Sequence, residues 1–234
     1  MKQHAVIDIG GTKTAFGLIN QNQLVFSKTV PTIRGLTEFP IFFNEIIQQI
    51  TKHAHQQENS LDSPILLSLP GNFSPGHTIA FKPGSGTQLI QDFEHFPDAT
   101  ITPWLVSKCQ ANTTVWAIND GVSQAVGGIV MDESQKLLNK RVLYIGPGTG
   151  LGGAVIDVGE SINELGVITD GHIYDTMINN GQDMAEDIVS GKAILNHCNA
   201  TAEQINQSDA LLNDHHDYIT KVGNSIISLI DTGI

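Results

Sequence analysis

The sequence predicts an α/β protein, and three observations carry that expectation. Two stretches set short apolar strands on either side of a glycine turn: Ala5–Ile9 and Ala15–Ile19 around Gly10-Gly11-Thr12-Lys13-Thr14, and Val142–Ile145 and Leu151–Ile156 around Gly146-Pro147-Gly148-Thr149-Gly150. Between them, Thr37–His55 carries Phe39, Phe42, Phe43, Ile46, Ile47 and Ile50 at helical spacing, with Thr37 as the expected N-cap. Val115–Ile118 then reads as a buried strand closed by Asn119-Asp120-Gly121 and followed by a small-residue helix, Val122–Val130. With 234 residues and 40% hydrophobic content there is enough chain for a sizeable core, in one domain or two.

The glycine hairpins point to phosphate. Glycine permits φ > 0 and a close approach of backbone to ligand, so successive N–H groups can converge on an anion, with the Thr149 hydroxyl as an added donor. A P-loop requires GxxxxGK[ST] between a strand and a helix, whereas strands flank both turns here and Lys13 follows Gly-Gly-Thr directly. A different phosphate cradle is expected.

Composition narrows the partners. A net charge of −12 argues against a nucleic-acid or anionic-membrane surface, so a polyphosphate ligand must be held by local N–H groups and a metal. Cys109 and Cys198 supply neither a disulfide framework nor a CxxC metal pair, which suits a reducing cytoplasm. Met1-Lys2-Gln3-His4 runs directly into a strand containing Asp8, so no signal peptide is expected. No run approaches the ~18 apolar residues of a membrane span.

Within the first hairpin, Asp8 ends the strand beside the glycine turn. A strand-end Asp serves as a turn cap or as a ligand; with Gly-Gly-Thr after it, the favoured reading is a Mg²⁺ ligand acting through water. Leu24–Phe26 extends the hairpin into a meander. His53 and His55 at the helix end are expected to be solvated. Pro64–Leu69 is a buried strand, and the loops Pro70–Gly76 and Phe81–Gly86 line a substrate cleft or simply turn the chain. Asn119-Asp120 lies where a strand C-terminus meets a helix N-terminus, the place where α/β folds put ligands; Asp120 is the candidate catalytic group, with helix capping as the alternative. Gly127-Gly128 is expected to allow close packing of the helix or to end it.

Four of these motifs, Asp8-Ile9-Gly10-Gly11-Thr12-Lys13-Thr14, Leu69-Pro70-Gly71, Ile118-Asn119-Asp120 and Gly148-Thr149-Gly150-Leu151-Gly152-Gly153, follow one another as in the bacterial glucokinases and ROK sugar kinases. The resemblance covers most of the chain and implies the two-domain actin-like ATPase (ribonuclease H-like) fold shared with hexokinase, with mixed sheets flanked by helices. The domains would be residues 1–118 and 119–234, with a cleft between them for a hexose or related sugar and ATP. It implies ATP-dependent phosphorylation of a sugar hydroxyl with ATP and Mg²⁺ as cofactors. Asp120 would be the general base and Asn119 a sugar ligand, and Gly10, Gly11, Thr12, Lys13, Gly148, Thr149 and Gly150 would hold the phosphates. A carboxylate accepting the nucleophile's proton suits phosphoryl transfer, where the protein supplies mainly positioning and charge.

Downstream, Asp170-Gly171-His172 resembles the family's Glu-x-Gly-His sugar loop, but Thr169 stands where that motif has Glu; His172 and Thr169 are the implied sugar contacts. Glu186 followed by Asp187-Ile188-Val189-Ser190-Gly191 resembles another sugar-binding Glu, although a Glu early in a helix is also explained by the dipole. Many ROK proteins bind Zn²⁺ through a cysteine cluster after the histidine loop; Tyr174–Met184 contains no cysteine, so no structural zinc is expected. Asn213–Ile234 reads as one helix, after which similar kinases continue into an adenosine-binding strand and a last helix. The second domain is thus expected to lack those parts, either as a truncated version of a longer kinase or as a natural short relative, and weak nucleotide binding is expected. A non-catalytic sugar-binding or regulatory relative, and a kinase for an amino or N-acetylated sugar, stay open beside the hexose kinase. A homodimer is one option for its assembly.

Overall fold

The computed structural model describes residues 2–21, 23–33, 38–56, 60–70, 72–74, 78–80, 115–132, 135–148, 150–168 and 173–231. Its chain divides into two compact units, Met1–Asp120 and Gly121–Ile234.

In the first unit, β1 (Lys2–Ile9), β2 (Lys13–Asn20) and β3 (Gln23–Pro31) form the antiparallel meander, and β4 (Ser60–Leu69) and β7 (Val115–Asn119) add to it in parallel. The order is β3-β2-β1-β4-β7, a mixed sheet. Strand side chains alternate, and Ala5, Ile7, Ile9, Ile65, Leu67, Leu69, Val115 and Ala117 turn to one buried face. Helix α1 (Glu38–Gln56) closes that face, with Phe39, Phe43, Ile46 and Ile50 buried against it. The apolar positions expected to face the core do so, because their 3.6-residue period puts them on a single stripe.

Several local expectations are corrected. His53 is not merely solvated: its ring stacks on Phe26 with centroids 4.1 Å apart and planes at 18°, because β3 passes beside the last turns of α1. The segment after Leu69 is not all loop, since β5 (Asn72–Ser74) pairs antiparallel with β6 (Thr78–Ala80). The loop Phe81–Gly86 and Thr37 lie outside the described residues.

Helix α2 (Asp120–Val130), which opens on the last residue of the first unit and runs on into the second, begins two residues earlier than the apolar pattern indicates. Gly127 and Gly128 do not end it, and among the described residues a Cβ at either would meet nothing within 4 Å. Strands β8 (Lys140–Pro147), β9 (Leu151–Val158) and β10 (Leu165–Val167) form an antiparallel sheet in the order β10-β9-β8. Ala154, Ile156 and Val158 of β9 pack with Val122, Ala125 and Ile129 of α2. Leu151 joins Ile173, Ala185, Ile188, Val189 and Leu229 in a separate cluster. A strand with cores on both sides reads as a continuous apolar run, as this one does.

A two-stranded ribbon, β11 (Met177–Ile178) and β12 (Asp183–Met184), leads into α3 (Ala185–Val189) and α4 (Gly191–Cys198), and then α5 (Ala202–Asn206) and α6 (Asp209–Asp214). The single helix expected from Asn213 is interrupted: Asn213 and Asp214 close α6, which Ser208 caps, and α7 (His216–Asp231) starts after His215, whose ψ of 15° departs from helix.

The α1 interface makes a stability prediction. Phe43→Ala removes a fully buried ring and is expected to cost about 3–5 kcal/mol. Ile41→Ala, on the exposed face of the same helix, should change stability by under about 0.5 kcal/mol. Urea unfolding followed by helix content measures both.

Candidate functional site

Parallel pairing brings the C-terminal ends of β1, β4 and β7 level. Asp8 stands opposite Ser68, Ser68 opposite Ile118, and Leu69 opposite Asn119. Alternation puts Asp8 and Ser68 on the face away from α1, where Ser68 Oγ donates to Asp8 Oδ1 at 2.7 Å. Asn119, one position further, is buried and falls on the opposite face with Leu69. These residues therefore share a sheet edge, but Asp8 and Asn119 do not share a face. Asp120 follows as the first residue of α2, half-buried, where the helix end favours negative charge.

Ser68 is a site residue that motif reading does not single out, because a serine in an apolar strand carries no pattern of its own. Asp8 is exposed and is held through one oxygen by Ser68. An exposed carboxylate at a strand end is the hard oxygen donor that Mg²⁺ takes, so the residue fits that role. Among the described residues, no group of three or more His, Cys, Asp or Glu side chains converges as a metal site.

The first glycine turn is tightly pinned. Gly10 N–H donates to Lys13 O at 2.9 Å, and Thr32 holds the turn's carbonyls, its Oγ1 donating to Gly10 O at 2.8 Å and its N–H to Thr12 O at 3.0 Å. The buried Thr14 hydroxyl lies 2.9 Å from that of Thr32. Thr12 and Lys13 remain exposed. Thr32 was invisible to motif reading, since the register of β3 alone brings it there.

In the second hairpin one of the expected donors is turned inward. The described hairpin glycines leave space that their neighbours use. Gly146 faces Gly152 across the ladder, and Gly148 N–H is turned inward onto Gly150 O at 2.9 Å. A Cβ at Gly150 would come within 2.8 Å of Glu186 Oε1, whereas one at Gly148 meets nothing closer than 3.9 Å. Gly153 is the tightest, lying against Ile173 and the Tyr144 carbonyl. A Cβ at Gly152 would sit 3.8 Å from Gly121 Cα, in the first turn of the helix that Asp120 opens.

Glu186, second residue of α3, is half-buried beside this hairpin. Burial pushes its carboxyl above the usual range and Asp187 adds to the rise, while the Leu151 N–H and Lys192 pull the other way. Thr149, Thr169 and His172 lie outside the described residues.

No family model and no curated protein matches the sequence. Solved structures do. The chain is similar to an inorganic polyphosphate/ATP-glucomannokinase from Arthrobacter sp. strain KM, with a TM-score of 0.62 and 20% identity over 84% of this chain and 72% of that one. It is similar to a ROK family glucokinase from Streptomyces griseus, solved with glucose and AMPPNP, with a TM-score of 0.60 and 19% identity over 88% of this chain. The fold is that of the ROK sugar kinases. The same ROK fold carries a transcriptional regulator to which this chain is similar with a TM-score of 0.67 and 15% identity over 98% of its length. The chain spans 61% of that regulator and 62% of the Streptomyces glucokinase. No helix among the described residues is long and apolar enough to cross a membrane.

Glu186 gives this ROK fold a pH signature. A carboxyl whose pKa is raised by folding adds stability at pH values below its unfolded pKa, and that contribution is lost as pH rises through the folded value. Glu186→Gln should therefore raise the melting temperature at about pH 7, and the gain should shrink toward zero near about pH 4. Calorimetric scans of both proteins across that range measure the difference.

Proposed function

We propose that this chain is a sugar kinase that transfers a phosphoryl group from ATP to a hydroxyl of a hexose or related sugar. The observation that carries the reading is Asn119-Asp120 at the C-terminal end of a parallel strand and the start of a helix, on the sheet edge that Asp8 and Ser68 also occupy. The likeness to ROK kinases, one of them solved with glucose and an ATP analogue, supports it.

In this reading Asn119 and Asp120 bind sugar hydroxyls, and the Asp120 carboxylate takes the proton of the attacking one. Such base catalysis is typically worth ~10²–10⁴-fold. Gly10, Gly11, Thr12 and Lys13 in the first hairpin, and Gly148, Thr149 and Gly150 in the second, hold the phosphates. Lys13 adds a cation and the Gly150 N–H a donor, since the Gly148 N–H is spent within the hairpin. Asp8, oriented by Ser68, holds Mg²⁺ through water; when bound, that ion neutralises charge on the phosphates. Thr169, His172 and Glu186 supply further sugar contacts.

A second reading, a non-catalytic or weakly active sugar-binding or regulatory relative, draws support for its regulatory side from the likeness to the ROK regulator. One substitution separates the two. Asp120→Asn keeps the shape and removes the proton acceptor, so kcat should fall by about two orders of magnitude or more, with far less change in sugar binding. Steady-state kinetics beside sugar titration by calorimetry measure this, and an unchanged kcat places the base elsewhere.

A further inference from the structure

Thr32, the residue after β3, reaches the first glycine turn with both its backbone and its side chain. Lys13 stands opposite Pro31 in the β2–β3 ladder, so Thr32 arrives beside Thr12 as that ladder's continuation. Its N–H donates to Thr12 O at 3.0 Å, and its hydroxyl donates to Gly10 O at 2.8 Å. A threonine hydroxyl has a single hydrogen. With that of Thr32 on Gly10 O, the 2.9 Å contact between the Thr14 and Thr32 hydroxyls has Thr14 as its donor. Thr14 is fully buried, so a short chain of hydroxyls runs from the core through Thr32 to the turn.

The carbonyls held in this way belong to alternate residues, Gly10 and Thr12. In a planar trans peptide the C=O and the N–H that follows it point in opposite directions. Tying both carbonyls to Thr32 therefore turns the N–H groups of Gly11 and Lys13 away from Thr32. The Gly10 N–H closes the turn on Lys13 O at 2.9 Å, and Thr12 and Lys13 are exposed at its tip.

We infer that Thr32 is a positioning residue for phosphate: it holds the Gly10 and Thr12 carbonyls on its own side of the turn, so that they do not face the phosphate and the Lys13 N–H does. The inference deepens the kinase reading and rests on it for the ligand. Thr32 acts from behind the turn and touches no phosphate. Without the tether, a turn that contains glycine gains freedom to rotate its peptide planes, and a carbonyl oxygen swung to the ligand side repels an anion.

The test compares the whole wild-type chain with Thr32→Val, Thr32→Ser and the double variant Thr14→Val/Thr32→Val. The readouts are melting temperature, hydrogen exchange of the Gly10 amide by NMR, and affinity for inorganic tripolyphosphate with Mg²⁺ by phosphorus NMR, a probe with neither sugar nor purine. Thr32→Val should speed Gly10 exchange by about tenfold while Ile7, paired on both sides in β1, is unchanged, and should weaken tripolyphosphate by about tenfold. It should also lower the melting temperature, because the buried Thr14 hydroxyl loses its acceptor. The double variant removes that orphaned donor. It should recover most of the lost melting temperature with no recovery of tripolyphosphate affinity, a split that a merely structural role does not give. Thr32→Ser keeps the hydroxyl and should stay within about threefold of wild type in exchange and affinity. Unchanged Gly10 exchange in Thr32→Val overturns the inference and leaves the kinase reading standing, as does a tripolyphosphate affinity that is unchanged there or returns with the melting temperature in the double variant. A wild type that binds no tripolyphosphate overturns the phosphate role of this turn, and with it both the inference and the kinase reading.

Discussion

The parallel register of β1, β4 and β7 is the constraint on which the first unit's chemistry depends. Strand side chains alternate with a period of two, so a slip of one residue in β1 would turn Asp8 into the α1 core and Ile7 and Ile9 out of it. The buried faces of the three strands and the apolar stripe of α1 hold that register by hydrophobic burial. The hydrogen bond from Ser68 to Asp8 is a consequence of it. The candidate site is placed by packing: its polar residues sit at the ends of strands whose interiors are fixed by what they bury.

The second unit solves a different problem. Its β9 is buried against α2 and also contributes Leu151 to the cluster with α3 and α7, so the glycine hairpin emerges from a strand with little freedom. Gly153 lies against Ile173 and Gly150 against Glu186, and in both places the missing side chain is what lets the neighbour approach. The hairpin glycines thus describe how closely this part of the chain is packed, as much as any ligand it holds. Positive φ is used elsewhere, in the turn of Asn179, Asn180 and Gly181 between β11 and β12.

Most of the framework was legible in the sequence because it is periodic or punctuated. The α1 stripe declares itself at a period of 3.6, and the two glycine hairpins by apolar runs on either side of turns. What was not legible depends on tertiary contacts. The stacking of His53 on Phe26 and the reach of Thr32 to the first turn are set by the register of β3, which no local pattern states. The early start of α2 at Asp120 follows from polar residues that a hydrophobic pattern does not count, and the break at His215 lies in a segment whose apolar residues run on past it. Ser68 was hidden because a single serine acquires meaning only from the Asp beside it in the neighbouring strand. The inward turn of the Gly148 N–H was equally hidden, since a glycine-rich turn offers several ways of closing.

The central claim is that this fold, with Asp120 at the start of α2, phosphorylates a sugar. The most direct measurement is ADP release by the wild-type chain, supplied with ATP and Mg²⁺ and each member of a panel of hexoses, amino sugars and N-acetylated sugars, with product identified by mass. The account predicts ADP release that depends on the sugar and matches a sugar monophosphate one for one. Sugar binding by calorimetry with no sugar-dependent ADP release from any member of the panel would contradict it.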